Sequence, residues 1–591
     1  MERRVLLAIF LSFAVLFAYQ SLVVPPPVPG NVSAPPPGVT QPIAPAQSGG
    51  LSPGPGTVAA PVAPPQAVPL VVGDSEEREI VIETQKARAV FTNRGARLRH
   101  WILKEYKDDA GNPLDLVPAV VPPTLALPFS LRIDDQAASA RLNDSLYKVS
   151  GVSGTHTDAT AQSASVTFEL ETADGLKARK VFTFEPKSFI VNFSADVMRG
   201  TETLNPIVEG GPGLGDDIAR TQPGSFLSPN YMYLAQAIYH THGDVEREAG
   251  TGLGAGVVRE GTFRWAGVDD HYFIHAVLQP PAPTRLEFLP VAIPTMGTPP
   301  QVGQYVAWGV RYPASPQNVR YYLGPKKLDE MRDIDPEFTR AIYFGMFALL
   351  AAPLLEGLRW VYSWVGDWGW SIIVLTIMIN LVMAPLRHKS VVSMRKMQGL
   401  QPQMKAIQDR YAKYKVTDPE RQKMNSEVME LYRSKGVNPA SGCVPMLLTL
   451  PFLFAFYAML GQAIEIRGEP FFWIRDLARL DPLYITPALM GLTMFWQQKI
   501  TPTTADPTQQ KIMMFMPIMI TATMLFAPSG LVIYWLISNV WAIGQQYFTN
   551  AMIGPPDAPG SKAKDSRSLK DIVVEKSNTK NTKSAKKNLG A

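Results

Sequence analysis

The chain has 591 residues, a formal net charge of +5 and one cysteine, Cys443. This length exceeds that of one ordinary domain and is enough for three or four. A single cysteine excludes an intramolecular disulfide, so cysteine pairing gives no information about the redox compartment.

The first predicted element is an apolar run over residues 5–24, which follows Arg3 and Arg4. About 20 apolar residues are needed to cross ~30 Å of hydrocarbon. A cleaved signal peptide has a shorter apolar core and a small-x-small cleavage site, and Tyr-Gln-Ser-Leu at 19–22 is a poor match to such a site. The pattern predicts an uncleaved transmembrane anchor over residues 1–24, with a signal peptide as the alternative.

The next two segments differ in composition. Residues 25–69 contain fifteen prolines, and proline removes backbone donors and blocks helices, so residues 25–70 are predicted to be an extended periplasmic linker. From residue 71 to 330, β-rich runs such as 79–83, 89–92 and 189–193 are separated by turn sequences. This spacing predicts a β-sandwich domain and not alternating strands and helices.

The C-terminal half contains five further apolar runs, which with the N-terminal anchor predict six transmembrane spans. In the first of these runs, residues 368–386, the only clearly polar residues are Thr376 and Asn380. The five predicted spans cover residues 367–386, 443–463, 483–498, 512–527 and 529–548, with loops over 464–482 and 499–511.

Loop charge gives the predicted orientation. Residues 387–435 hold twelve Lys and Arg against five acids, and residues 562–587 hold nine against three. Because Lys and Arg are retained in the cytoplasm, both basic segments and the N-terminal arginines lie there only if the spans number six. The apolar segment over 331–366 is therefore predicted to be an interfacial amphipathic helix and not a seventh span. Both termini are then cytoplasmic, and the β-domain is periplasmic.

Residues 387–442 are predicted to form a cytoplasmic helical hairpin. Apolar residues recur at spacings of three and four in both arms, which is typical of two packed helices. Asp418 as N-cap and Pro419 at the first helical position begin the second arm. The first arm carries Met394, Met397, Met404, Ile407 and Tyr411, and the second carries Met424, Val428 and Leu431. A basic tail follows over residues 549–591.

Several motifs resemble one protein family closely. They are Asn-Pro-Ala-Ser-Gly-Cys-Val-Pro at 438–445, Gly-Leu-Thr-Met-Phe at 491–495, Gln-Lys-Ile-Met-Met-Phe-Met-Pro at 510–517 and Pro-Ser-Gly-Leu-Val-Ile-Tyr at 528–534. Together with the order of segments, these stretches resemble the signatures of the YidC family of bacterial inner-membrane insertases. The likeness is strong over residues 321–550 and looser over the β-domain.

The resemblance implies a β-supersandwich in the periplasm and a core of five membrane helices. That core would enclose a hydrophilic groove open to the cytoplasm and to lipid. The implied substrates are newly made integral membrane proteins, handled alone or with the Sec translocon. The ribosome, reached through the hairpin and tail, and membrane lipid are further expected partners, and a monomer is expected. Insertion makes and breaks no covalent bond, so no enzymatic activity, cofactor or metal is expected.

Candidate groove residues are the polar side chains of the spans. Thr376 and Asn380 are four residues apart and therefore share one helix face. Hydrogen bonding between helices is the alternative for each, because Ser, Thr and Asn often bond across bundles. The weaker candidates are Thr449, Thr521, Thr523, Ser538 and Asn539.

Asn380 departs from the family pattern, in which the matching position is usually basic and is thought to attract acidic substrate tails. Asn380 is neutral and supplies no such attraction. Either a merely polar groove suffices, or Arg387, seven residues further on near the cytoplasmic mouth, substitutes for the missing cation. We expect weaker dependence on acidic substrate tails than in family members that have arginine.

Further contact surfaces are expected outside the groove. The resemblance implies a substrate-sliding face at Phe526, Tyr534 and Trp535, with lipid or interfacial anchoring as the alternative. Met394, Met397 and Met404 are expected to make hairpin contacts. The basic tail would attract ribosomal RNA phosphates or anionic lipid. Its candidate contact residues are Lys562, Lys564, Lys586 and Lys587.

Other functions fit the sequence less well. Asp269, Asp270, His271 and His275 could suggest a metal site, but ordinary polar groups of a strand are the simpler interpretation. A small-molecule transporter would show internal repeats and broken helices. An extracytoplasmic binding module on a membrane anchor is the second rival, and it would lose its function if the β-domain were deleted.

Overall fold

The computed structural model forms two compact units. One contains the residues up to Gly345 together with Gly461–Glu469, and the other contains Met346–Leu460 and the residues from Pro470 onward. The predicted anchor, most of the linker and residues 554–591 of the predicted tail lie outside the described residues, whereas residues 549–553 of that tail belong to the last helix. The described segments are residues 69–108, 110–152, 154–215, 235–294, 302–414, 418–436, 444–501 and 507–553.

The first unit is built from three β-sheets, of eleven, five and five strands. The largest has the order β1 (Leu70–Val72), β9 (Ala164–Thr172), β10 (Leu176–Phe184), β11 (Ile190–Arg199), β21 (Val319–Pro325), β18 (Phe273–Leu278), β17 (Trp265–Asp269), β14 (Gln236–Thr241) and β15 (Asp244–Ala249). Two further strands extend it, β7 (Lys148–Ser150) beside β9 and β12 (Glu202–Leu204) beside β11.

The two smaller sheets have five strands each. One has the order β16 (Val257–Gly261), β19 (Thr284–Pro294), β20 (Val302–Arg311), β13 (Ile207–Gly211) and β6 (Leu131–Arg132). The other has the order β5 (Pro113–Asp115), β4 (Arg97–Lys107), β3 (Ala87–Thr92), β2 (Glu79–Glu83) and β8 (His156–Asp158). The pairing is antiparallel throughout these ladders except between β2 and β8, which run parallel.

Aromatic side chains fill the space between the sheets. Every second residue of β10 is buried, as expected for a strand with one face toward the core. The ring of Phe182 on β10 lies 4.5 Å from that of Phe91 on β3 and 5.1 Å from that of Phe129. Rings at these separations add attraction beyond the burial of their area.

One inward position of β10 is a lysine. The Lys180 ammonium donates hydrogen bonds to the carbonyl oxygens of Gly95, Ala96 and Phe129 at 2.6, 3.2 and 2.8 Å. Burial away from water lowers the pKa of Lys180 well below its usual value. Because these three carbonyl oxygens accept its hydrogen bonds, the Lys180 nitrogen can be buried in this core.

The predicted β-domain is confirmed in its main features. The runs over 79–83 and 89–92 lie in β2 and β3, and the run over 189–193 becomes β11 from Ile190. The domain has three sheets and not the two of a simple sandwich, and it also holds two short helices. These are α1 (Gln136–Asp144) and α2 (Leu328–Ile334).

The loop predicted over 464–482 is divided between the two units, because Gly461–Glu469 belongs to the first. Ile464 and Ile466 are buried there. The Arg467 guanidinium lies 4.9 Å from the ring centroid of Phe273, which is cation–π distance. No local pattern in the sequence indicates this short segment, since its burial depends on the β-sheet surface.

The second unit is helical. Its helices are α3 (Ala348–Val365), α4 (Trp368–Gly399), α5 (Gln401–Arg410), α6 (Pro419–Ser434), α7 (Val444–Gln462), α8 (Ile485–Ile500), α9 (Pro507–Met524) and α10 (Ser529–Ile553). The last four agree with the predicted spans to within a few residues at each end. Within the described segments, α4 alone is long and apolar enough by length and composition to cross a membrane. Six spans therefore stay a prediction.

α4 is longer than the span predicted over residues 367–386. It begins after Asp367, whose carboxylate accepts a hydrogen bond from the Trp370 N–H, and continues unbroken to Gly399. Pro385 lies inside it and removes one backbone donor without ending the helix. The first arm of the hairpin predicted to begin at 387 therefore consists of the end of α4 and the short helix α5. The second arm is α6, which has Asp418 as its N-cap.

The single helix predicted over 331–366 is also wrong in its extent. α2 ends at Ile334, a 3₁₀ turn follows, and α3 begins only at Ala348. Pro336 lacks the N–H that would continue α2, and Gly345 has a φ of +59°, which favours glycine. The exposed side of α3 carries Leu349 and Trp364, so this side is apolar and suits lipid better than water.

Candidate functional site

The predicted pair on α4 lies on a buried face. Thr376 and Asn380 are 0% and 4% exposed. The Thr376 hydroxyl donates to the Ile372 carbonyl oxygen at 2.6 Å, and the Asn380 amide donates to the Thr376 carbonyl oxygen at 2.8 Å. The Asn380 amide nitrogen also lies 3.4 Å from the Ser538 hydroxyl oxygen of α10. The donors of the pair therefore point to acceptors within α4 and across to α10.

Arg387 stands apart from this pair along the same helix. It lies seven residues beyond Asn380, a rise of about 10 Å along the helix axis. The Arg387 side chain is half-buried. In the part of the chain that the structure describes, it makes no hydrogen bond or ion pair. A partly desolvated cation without an anionic partner attracts a carboxylate more strongly than an exposed cation does.

Tyr534 lies inside the helical unit. Its ring stacks on that of Phe456 of α7 at a centroid distance of 4.2 Å and an interplanar angle of 10°. Trp535 beside it is half-buried, and Phe526 lies beyond the end of α9 and is 38% exposed. The structure therefore does not bring all three predicted sliding-face residues onto one exposed surface.

The weaker groove candidates with described side chains bond to helices. The Asn539 amide nitrogen lies 3.4 Å from both the Met490 carbonyl oxygen and the Thr493 hydroxyl oxygen of α8. Thr521 and Thr523 donate to carbonyl oxygens of their own helix. Asn539 therefore fits the alternative interpretation of hydrogen bonding between helices, whereas Thr521 and Thr523 bond only within their own helix. Ser538 also bonds between helices, because it faces Asn380 of α4.

The two hairpin arms meet at a small apolar cluster. Leu400, Met404 and Tyr432 are buried in it, and Met397 packs against them. The Tyr432 hydroxyl lies 2.6 Å from the Met404 sulfur. Two of the three predicted contact methionines thus belong to the cluster, whereas Met394, on α4, is half-buried outside it.

The remaining predicted residues carry no structural description. The side chain of Thr449 on α7 lies outside the described residues, and so does the tail from residue 554 onward. The tail residues concerned are Lys562, Lys564, Lys586 and Lys587.

The polar cluster of the β-domain is an ion-pair site. The Lys326 ammonium lies 2.9 Å from an Asp269 carboxylate oxygen and donates to the Asp270 carbonyl oxygen at 2.6 Å. In the described segments, no three His, Cys, Asp or Glu side chains are grouped so that they could hold a metal ion. Asp269 therefore serves to neutralise a buried cation, since an unpaired charge there would be costly.

An apolar crevice between α4 and α10 was not predicted from the sequence. Its volume is about 860 Å³. Two polar contacts cross between the helices at its edge. The Gln545 amide donates to the Ala384 carbonyl oxygen at 2.7 Å, and a His388 ring nitrogen lies 3.1 Å from the Thr549 hydroxyl. Gln545 and Thr549 are four residues apart and therefore share one face of α10, and this spacing is the signal that could have indicated a polar edge there.

Two family models match adjacent parts of the chain. A model described as 60Kd inner membrane protein matches residues 360–555. A model described as YidC periplasmic domain matches residues 79–356. The two matches correspond closely to the helical unit and the β-sheet unit.

Relatives of similar length match nearly the whole chain. A membrane protein insertase YidC of Syntrophus aciditrophicus is 33% identical over 573 residues, covering 93% of this chain and 99% of that protein. The membrane protein insertase YidC of Citrifermentans bemidjiense is 34% identical over 580 residues, covering 94% and 100%. A crystal structure of an active YidC insertase aligns at 17% identity over 82% of this chain and 96% of its own, with a TM-score of 0.33, too low to support an argument.

Proposed function

The chain belongs to the YidC family of membrane protein insertases, and from this premise we propose that Arg387 attracts the acidic part of a substrate at the cytoplasmic side of the helical unit. The activity is insertion of membrane proteins into the bacterial inner membrane, and it requires no covalent chemistry. The proposal concerns the residue that provides electrostatic attraction, since Asn380 provides none.

The barrier to insertion is desolvation. A polar segment that enters hydrocarbon loses its hydrogen bonds to water, and charged groups cost several kcal/mol more. Polar side chains and a fixed positive charge lower this cost for an acidic tail. Asn380, Ser538 and Tyr534 would supply the polar surroundings of the groove, and Arg387 would supply the charge.

One observation carries the proposal: the Arg387 guanidinium is half-buried and has no anionic partner in the described part of the chain. Asn380 is a poorer candidate, because it is neutral and its amide already bonds to Thr376 and Ser538. The cation lies about 10 Å nearer the hairpin than the position of Asn380. The Arg387 cation is therefore less completely desolvated than a cation at position 380 would be. Its attraction for a substrate carboxylate should be weaker for this reason.

The test uses the full chain in proteoliposomes without ribosomes or nucleotide. The substrate has one apolar segment and a translocated tail carrying two acids, and insertion is scored as protease protection of that tail. Neutralising the acids should lower insertion by up to about fivefold, the effect of a partly exposed ion pair. Arg387→Gln should lose this dependence on the acids, and Asn380→Arg should increase it. The matched control is Lys405→Gln, which removes an exposed charge from α5.

Two outcomes would contradict the proposal. One is an unchanged dependence on substrate acids in Arg387→Gln. The other is an equal loss on neutralising the acids in the original chain and in Asn380→Arg, because a deeper cation should respond more strongly. If Arg387→Gln and Asn380→Arg both lose all insertion while the Lys405→Gln control stays active, the two variants have a folding defect. Thermal unfolding checks for this defect.

The topology and partners are a further part of the proposal. Six spans with both termini and the hairpin in the cytoplasm are supported by the basic content of residues 387–435 and 562–587. Cooperation with the Sec translocon and contact with the ribosome follow by family likeness. Deletion of residues 561–591 should reduce ribosome co-sedimentation at low salt, because phosphate contacts depend on salt. Unchanged co-sedimentation would assign the tail to lipid.

A further inference from the structure

The crevice between α4 and α10 has the shape of a site for a hydrocarbon chain. Its volume of about 860 Å³ lies within the range of ligand pockets, roughly 300–1,000 Å³. Leu381, Val540 and Phe548 line it and are 60%, 50% and 65% exposed. Apolar side chains this exposed are stable when they face lipid.

The length of the crevice matches one leaflet of a bilayer. Along α4 it extends from Ile377 to Lys389, which at about 1.5 Å per residue is about 18 Å. Half of a hydrocarbon core of ~30 Å is about 15 Å. An acyl chain that enters beside Lys389 would therefore reach Ile377 near the middle of the membrane.

Among its lining residues, the crevice has basic side chains only at its hairpin end. Lys389 is exposed and His388 half-buried at the hairpin end of the crevice, and no acidic side chain lines the crevice. His388 contacts Thr549 through its Nδ1, so its Nε2 faces away from that contact. A phosphate at this level would meet the Lys389 ammonium and an imidazole nitrogen of His388, whereas most of the remaining lining residues are apolar, with Gln545 and Thr549 as polar exceptions.

The floor of the crevice is a glycine. A Cβ built at Gly544 of α10 would meet nothing within 4 Å. A larger side chain is therefore tolerated by the helices and would instead occupy the crevice. A substitution at Gly544 can therefore block the crevice without unfolding the helices.

We propose that this crevice binds an anionic phospholipid of the hairpin-side leaflet, with one acyl chain between α4 and α10 and the phosphate beside Lys389 and His388. The site is distinct from the buried polar face at Asn380 and Ser538. The proposal rests on the membrane placement of α4 and α10, and it is independent of the role proposed for Arg387.

The experiment uses the full chain reconstituted in vesicles that contain a photoactivatable phosphatidylglycerol, with its reactive group on the acyl chain. A second set contains the phosphatidylcholine analogue. After illumination, labelled peptides are identified by mass spectrometry. Phosphatidylglycerol should label residues 377–389 and 537–552 more than phosphatidylcholine does, by about fivefold for one lysine near the membrane surface.

Two variants and a control test the site. Lys389→Gln should abolish the preference for phosphatidylglycerol and leave the labelling by phosphatidylcholine unchanged. Gly544→Leu should reduce labelling by both lipids at these residues only. Lys405→Gln, which removes an exposed charge on α5, should retain the preference. Thermal unfolding of each variant confirms that it is folded.

Three results would overturn the proposal. They are equal labelling by the two lipids in the original chain, a preference that survives Lys389→Gln, and labelling that rises when residues 1–24 are deleted, which would show that the N-terminal segment fills the crevice. The insertion assay with Arg387→Gln is read separately. A negative result there leaves the lipid labelling intact, so the two proposals fail independently.

Discussion

The Asn380 amide nitrogen of α4 and the Ser538 hydroxyl oxygen of α10 face each other at 3.4 Å. The Asn380 amide also donates at 2.8 Å to the Thr376 carbonyl oxygen, so the bond between the helices is the longer of the two. Because Asn380 is buried, this pair joins α4 to α10 inside the helical unit.

The Asn380–Ser538 contact should contribute only a small coupling free energy to the stability of the chain. In a double-mutant cycle of Asn380→Ala and Ser538→Ala, the coupling free energy should be about 0.6 kcal/mol, the average for hydrogen bonds between membrane helices. The measurement is unfolding of the detergent-solubilised chain. A coupling near zero would indicate that each side chain bonds only within its own helix. Asn539→Ala, which removes a contact to α8, is the matched comparison.

Close packing of α8 on α9 should make Gly491 sensitive to substitution. A Cβ at Gly491 would lie 2.4 Å from the Thr521 hydroxyl oxygen and 3.0 Å from its methyl carbon. Gly491→Ala should therefore lower the free energy of unfolding by about 1–3 kcal/mol. Adding Thr521→Ala should restore part of the loss, since it removes both of the closest atoms. Gly399→Ala, with no atom near its Cβ, should have little effect.

The hairpin should open more readily without its central methionine. Met404→Ala removes the partner of Leu400 and Tyr432, at a cost of about 2 kcal/mol for this small cluster. Hydrogen exchange of the α6 amides should accelerate accordingly. The control is Met429→Ala, because Met429 lies on α6 and is 43% exposed. Equal exchange in the two variants would show that the cluster does not hold the arms together.

His100 should make the β-domain less stable as the pH rises. Its ring nitrogen lies 2.6 Å from an Asp115 carboxylate oxygen, and this hydrogen bond raises the pKa of His100 above its usual value. A raised pKa in the folded state stabilises the protein fully below the unfolded pKa of about 6.5, and this contribution is lost as the pH rises through the folded pKa.

The measurement is the unfolding midpoint of the β-domain in the full chain at pH 5.5 and 8.5, compared with His100→Gln. The difference between the two proteins should be larger at pH 5.5. A difference that is constant or grows with pH would contradict the assignment. The partial exposure of the pair keeps the effect small.

Some of the structure follows from local patterns in the sequence. Alternation over 79–83 predicts β2, and Asp418 followed by Pro419 predicts where α6 begins, because both depend on a few neighbouring residues. Boundaries were predicted less well. The span predicted to end at residue 386 continues to Gly399, because Pro385 removes only one donor and the remaining backbone bonds continue the helix.

The sequence by itself indicated the family, through motifs such as those at 438–445 and 510–517, since these depend only on residue identity and spacing. The tertiary structure decided which polar residues meet. Ser538 faces α4 whereas its neighbour Asn539 faces α8, because adjacent residues on a helix point about 100° apart. It also decided that Tyr534 packs inward and that α4 and α10 enclose a crevice. These features depend on helix packing, which brings together residues more than 150 positions apart, as in the Asn380–Ser538 and Gln545–Ala384 contacts.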